Sequence, residues 1–345
     1  MDVRLSPEQR ALRDSAVQVV ERLGVRAVAQ LDDRERAGKL DAAVDASGWR
    51  ELRTPGEDGR PWASPVEVAI VAEELGRGLG DVAFLGPTLA AELRRLSGAP
   101  ATTARETVAL GEGLAEPACV VDGLVAAGAV AIDAAAATSA LVLVAGPGGY
   151  AVGAVPIAGV ATGADLTRPV ARLAPTATPL MGQGHLLDDS ALVAWRSLGL
   201  AVTSADLVGT MRGALALACD YARARRQYGA AIGSFQAVQH LLADACVALE
   251  GSRSIALHAA WAVDALPSAD ALAAASAAKA YCARAARDVC ETAIQVHGGI
   301  GNTWDCLAHV FLRRALLSTD VLGGVGANLD RVLAARGVEG DDGLR

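Results

Sequence analysis

Two stretches hold side chains whose types and spacing could act together chemically: Arg225-Arg226-Gln227-Tyr228-Gly229-Ala230-Ala231-Ile232-Gly233-Ser234-Phe235-Gln236 and Gln295-Val296-His297-Gly298-Gly299-Ile300-Gly301. The first brings cations, an aromatic ring and an amide; the second brings an amide and a cluster of glycines. A ligand carrying a pyrophosphate and polar ring edges needs this combination: a guanidinium for the phosphates, amides for the edges, and glycines where the backbone must approach closely. Taken singly, each residue has a plainer reading. Arg225 stands with Arg223 and Arg226, and three arginines on a helix can be a solvated face. Gln236 alone reads as a surface residue, and Gly298 and Gly299 alone as a helix C-terminus. His297 reads as structural, its ring satisfied by backbone partners, with no role in proton transfer.

The elements that must position these segments are mainly helical. Ser6-Pro7-Glu8-Gln9 and Ser64-Pro65-Val66-Glu67 each set a serine N-cap, a proline at the first helical position and Glu or Gln three residues after the cap. Apolar residues follow both at near-helical spacing, so the first hundred residues form a helical domain. From Thr107 to Leu187 short Val/Ala/Leu runs broken by Gly, Pro and Asp indicate a small β domain. Beyond Asp188, helices over roughly 190–226, 235–264, 269–296 and 303–322 indicate a bundle.

Composition narrows the function. With 345 residues, 52% of them hydrophobic, the chain can bury a large core in two or three domains. A formal net charge of -8 disfavours nucleic acid or an anionic membrane as main partner, so a phosphorylated ligand must be met by local cations. The six cysteines show no C-x-x-C pair or ligand spacing, which predicts no metal and reduced, mostly buried thiols. The first residues lack a secretory pattern, giving a cytoplasmic expectation. The uncharged segment from Ala134 to Ala164 is long enough to raise a membrane span, but Gly146-Pro147-Gly148-Gly149 and Pro156 break it into two short strands around a turn.

The Arg225–Gln236 and Gln295–Gly301 segments resemble the FAD-binding parts of acyl-CoA dehydrogenases, and the resemblance extends over nearly the whole chain. It implies a mostly α fold with a small central β domain: an N-terminal helical domain (1–105), a middle β-barrel-like domain (106–188) and a C-terminal four-helix bundle (189–345). Leu5-Ser6-Pro7-Glu8-Gln9-Arg10, Val71-Ala72-Glu73-Glu74-Leu75-Gly76 and Gly298-Gly299-Ile300-Gly301-Asn302-Thr303-Trp304-Asp305 are similar to actinobacterial members acting on bulky acyl-CoAs, sterol side chains included. By this resemblance Arg225 contacts the pyrophosphate of FAD held mainly by a neighbouring subunit. Tyr228 stands for the family phenylalanine, Gln236 lies near the adenosine, and Gln295, Gly298 and Gly299 form a loop on the cofactor across the interface. The implied partners are an acyl-CoA, an electron-transfer flavoprotein or similar acceptor, and further subunits in a homo- or hetero-oligomer, a dimer or tetramer.

The family reaction removes an α-proton with a glutamate while the β-hydrogen leaves as hydride to flavin N5, giving a trans-2-enoyl-CoA. Here the two family positions for that base hold Gly323 and Gly199, the latter followed by Leu200 where an arginine is usual. The Thr-Glu-Pro phrase beside the flavin is represented by Ala115-Glu116-Pro117, which lacks the hydroxyl. Two readings follow. A complete enzyme would use a displaced carboxylate, with Asp206, Asp305 and Asp320 as candidates: Asp305 matches a helix-starting acid, and the other two read as ordinary polar helix residues. A non-catalytic partner subunit of a heterotetramer would lend cofactor-edge contacts and no base. A redirected oxidase or monooxygenase of the same fold ranks third.

Overall fold

The computed structural model describes residues 4–100, 102–161, 163–174, 178–179 and 185–338. Four helices come first: α1 (Pro7–Leu23), α2 (Arg34–Ala46), α3 (Pro65–Arg77) and α4 (Leu85–Ser97). The α1 cap is reciprocal, Ser6 Oγ accepting from Gln9 N–H at 3.1 Å while Ser6 N–H donates to Gln9 Oε1 at 3.0 Å. The α3 cap departs from that expectation. Ser64 Oγ accepts from Val66 N–H at 3.2 Å, but Glu67 takes the Ser64 hydroxyl and the Gln9 side-chain amide, tying the starts of α1 and α3 together.

Eight strands follow: β1 (Glu106–Leu110), β2 (Cys119–Val121), β3 (Leu124–Val125), β4 (Val130–Ala131), β5 (Ser139–Gly146), β6 (Gly149–Ala161), β7 (Val170–Leu173) and β8 (Thr178–Pro179). The order β5-β1-β4-β7-β6 closes on itself through the β5–β6 pairing, and a register shift between Ile157 and Gly159 lets β6 turn from β5 to β7. The uncharged segment is this β5–β6 hairpin.

The remaining helices are α5 (Asp189–Ala224), α6 (Gln236–Ala265), α7 (Ser268–His297), α8 (Ala308–Asp320) and α9 (Val325–Ala335), with a small hairpin of β9 (Arg226–Gln227) and β10 (Ala230–Ala231) after α5. Two features differ from the sequence reading. α8 starts at Ala308, because the chain turns through Thr303–Cys306 first, and a fifth helix, α9, begins after Gly323-Gly324 stops α8. By length and composition α5 could cross a membrane, yet 72% of its apolar window is buried inside the protein.

The N-terminal helices dock on the bundle at close range. On α5, a Cβ added at Gly209 would stand 1.8 Å from Glu73 O of α3, and one added at Gly76 of α3 would stand 2.5 Å from Asp206 O. Trp195 on α5 donates its indole N–H to Leu89 O of α4 at 2.9 Å, and Arg53 pairs with Glu92 beneath the surface at 3.1 Å. Gly209→Ala is expected to force α3 and α5 apart and lower stability by about 1–3 kcal/mol in urea unfolding.

Candidate functional site

α5, α6 and α7 alternate in direction, so the end of α5, the start of α6 and the end of α7 lie at one end of the bundle. Tyr221 of α5 stacks on His297 of α7 with ring centroids 4.4 Å apart, fixing the two helix ends side by side. His297 is buried and its Nδ1 donates to Ala293 O at 2.7 Å, the backbone partner expected of a structural histidine.

The six residues expected at a cofactor edge lie on these helix ends and the loops that follow them, all exposed. Arg225 is the C-cap of α5 and, among the described residues, makes no side-chain hydrogen bond or ion pair, whereas Arg223 pairs with Asp220. Tyr228 and Gly229 both have positive φ (50° and 78°), the backbone of a type I′ hairpin turn, which holds the Tyr228 ring 97% exposed. Gln236 opens α6 and Gln295 lies on the last turn of α7, both exposed. At Gly298 (φ 68°) and Gly299 no atom lies within 4 Å of an added Cβ, so a ligand can approach their backbone. A free guanidinium, two amides and bare backbone suit the outer edge of a dinucleotide.

The two positions expected to hold a base are different in kind. Gly199 of α5 faces the turn that carries Gly323: a Cβ on Gly199 would meet Leu322 Cδ1 at 2.3 Å and Leu89 Cδ2 at 3.3 Å. Leu322 is fully buried, has a left-handed backbone (φ 60°), and donates its N–H to Leu114 O at 2.7 Å. The carbonyls around it are all taken. Lys279, buried on α7, donates to Thr319 O (2.9 Å), Val321 O (2.6 Å) and Gly323 O (3.0 Å); Arg331 donates to Leu322 O (2.9 Å), and Asn328 to Gly323 O (2.7 Å) and Gly324 O (2.9 Å). Burial pulls the Lys279 ammonium down to about 7. Over this turn Glu116 pairs with Arg196 of α5 and with Arg331 of α9, linking the Ala115-Glu116-Pro117 loop to both helices.

Of the three aspartates only Asp320 lies beside this turn, a carboxylate oxygen standing 4.0 Å from a Cβ added at Gly324, and it is exposed to solvent. Asp206 is not an ordinary polar helix residue: it is buried, its Oδ1 accepting from Arg314 at 2.6 and 3.1 Å and its Oδ2 from Arg168 at 3.1 Å and Ser318 at 2.7 Å. Burial alone would raise its carboxyl, but Arg168 and Arg314 outweigh that and hold it below the ordinary value. Asp305 lies exposed in the turn before α8 rather than at its start, and Asp320 is the exposed last residue of α8. All six cysteines are free, three of them buried, and no metal-ligating cluster occurs among the described residues. Sequence reasoning missed Lys279 and Arg331. The signal for Lys279 was a lone cation within the alanine stripe Ala277-Ala278-Lys279-Ala280.

A model of the acyl-CoA dehydrogenase C-terminal domain matches residues 199–336. Acyl-CoA dehydrogenase IpdE2 of Mycobacterium tuberculosis is 33% identical over 293 residues, covering 82% of this chain and 84% of the relative. IpdE2 of Mycolicibacterium smegmatis is 28% identical over 96% of this chain and 99% of its own length. Among solved structures, a chain of the ChsE4–ChsE5 complex from Mycobacterium tuberculosis aligns at TM-score 0.79 and 22% identity, over 99% of this chain and 100% of that one. The Tcur3481–Tcur3483 steroid ACAD aligns at TM-score 0.79 and 24% identity, over 96% and 98%. Fold and relatives agree: the chain belongs to the acyl-CoA dehydrogenase family.

Asp206→Ala would leave buried Arg314 without its carboxylate and Arg168 with only Asp165, and is expected to cost about 3–5 kcal/mol in urea unfolding. Asp165 is likewise held low by Arg168 and Arg314 against burial, so both carboxylates bind protons less readily folded than unfolded. Their contribution is therefore complete above the ordinary value of 3.8 and is lost as pH falls below it, which an acid titration followed by circular dichroism will read as cooperative unfolding.

Proposed function

We propose that this chain is the partner subunit of a hetero-oligomeric, FAD-dependent acyl-CoA dehydrogenase, supplying cofactor-edge contacts and assembly while a related chain supplies the base. The observation that supports this reading is the lack of an acid at the two positions that the family resemblance marks for the base: Gly199 and Gly323 stand there, Leu322 packs against Gly199, and Lys279, Asn328 and Arg331 tie the turn in place. A self-sufficient enzyme needs a carboxylate in a dry site, whereas Asp206 is ion-paired and Asp305 and Asp320, the latter beside the turn, are exposed to solvent. The likeness to a chain of a complex named for two proteins, ChsE4–ChsE5, supports the same assignment.

FAD, when bound, supplies the hydride acceptor for α,β-dehydrogenation of the acyl-CoA. The residues of this chain that would hold it are Arg225 at the pyrophosphate, Tyr228 and Gln236 toward the adenosine, and Gln295 with the Gly298-Gly299 backbone along its edge. Because all six are exposed on one face, they can act on a cofactor seated in a neighbouring subunit. A bulky, sterol-derived acyl group and an electron-transfer flavoprotein as acceptor complete the reading by analogy with the family.

In the complex co-expressed with its base-bearing partner, Arg225→Ala is expected to weaken FAD by about 1.5–3 kcal/mol, roughly 10- to 150-fold in Kd, with activity following bound flavin. Unchanged flavin content would remove Arg225 from the site. Gly323→Glu in this chain is expected to yield no new acyl-CoA-dependent flavin reduction, because an added Cβ already lies 3.2 Å from Arg331 Nη1 and the backbone has φ 95°. New activity from that variant would mean that the site is open.

A further inference from the structure

Where the three parts of the chain meet, a void of about 10 Å³ is lined by Asp133, Arg168, Asp206 and Arg314, with Ala72 and Val202 in its apolar wall. Asp133 arrives from the end of β4. It is buried, and its Oδ2 accepts from the N–H groups of Phe84 (2.7 Å) and Gly86 (3.2 Å) at the start of α4, a helix with no side-chain cap from its own N-cap residue. Its other oxygen, Oδ1, is buried with no hydrogen-bond partner. Such an atom is costly to leave bare.

The donors around the void are also one short of acceptors on each side. A guanidinium has five N–H donors. Arg168 uses four, Nε to Asp165, Nη1 to Asp206, and Nη2 to Ser318 and to Arg314 O. Arg314 also uses four, Nε and Nη2 to Asp206, and Nη1 to Gly80 O and Thr167 Oγ1. One N–H on Arg168 Nη1 and one on Arg314 Nη2 are left over, beside the same void that Asp133 lines.

We propose that this void is a binding site for one water molecule, which accepts the two spare guanidinium N–H bonds and donates to Asp133 Oδ1. The size suits one water and nothing larger, and three polar partners are the usual complement of a buried water. A metal cation would face two guanidiniums and an inorganic anion two carboxylates, so a neutral molecule that both donates and accepts is the chemical match. Asp133 then does two things at once. It caps α4 of the N-terminal helices and, through the water, reaches Arg168 of the β domain and Arg314 of the bundle. The water adds a link between Asp133 and the two arginines to the direct bonds that Arg314 makes to Gly80 O and Asp133 makes to the start of α4.

A crystal structure of the protein, alone or in its oligomer, at a resolution that shows ordered water tests this directly. The expected result is one fully occupied water within hydrogen-bond distance of Asp133 Oδ1 and both guanidiniums. An empty void, or Asp133 bonded directly to Arg168 or Arg314, overturns it.

Discussion

The buried ion network around Asp206 is the constraint on which the other parts of the molecule depend. Arg168 comes from the β domain, Asp206 from α5 and Arg314 from α8, and each is almost wholly removed from water. Charges placed so deep are tolerable only when every partner is in position, because an unpaired member carries the full desolvation penalty. The network therefore penalises any arrangement in which the β domain slides on the bundle, and it fixes the orientation of α5 and α8. Those two helices in turn set the separate ends of the site: α5 leads to Arg225 and the Tyr228 hairpin, and α8 leads to the Leu322-Gly323 turn.

These two ends have opposite character. At the cofactor edge, polar and aromatic groups are left exposed with few partners of their own, an arrangement that gains from a second molecule. At the Gly199–Gly323 positions, a buried leucine packs against a helix glycine and three side chains donate to successive carbonyls of the turn. Lys279 is central there. Its ammonium has three donors and all three go to backbone oxygens of one turn, which places a positive charge at the C-terminal end of α8 where the helix dipole favours it. In the proposed reading the chain lacks a catalytic carboxylate and keeps its outward-facing contacts.

Much of the architecture was legible because it is local. Serine caps, helical periodicity and the glycine-proline break between β5 and β6 depend on neighbours in sequence, and the helices and the hairpin fall where those patterns lie. The positions of the residues expected at a cofactor edge were also legible as local features, since they sit at helix ends or, for Tyr228, in the hairpin turn after α5. What could not be read is the fate of side chains settled by distant partners. Asp206 looks like any polar residue on α5 until Arg168 and Arg314, from other parts of the chain, close on it. Asp133 gives no local sign that it caps α4. α9 escaped because it is short and follows a glycine pair that reads as an end. The absence of acids at Gly199 and Gly323 was visible in the sequence, but the packing of Leu322 against Gly199 was not, because it requires a helix and a turn far apart in sequence to meet.

The most direct test of the partner-subunit account is the flavin content of this chain purified alone, read from the visible spectrum of its gel-filtration peak and followed by anaerobic addition of acyl-CoAs from butyryl-CoA to a sterol side-chain thioester. The account predicts well under one flavin per chain and no bleaching by any thioester. One flavin per chain in a homo-oligomer, bleached by an acyl-CoA, would contradict it.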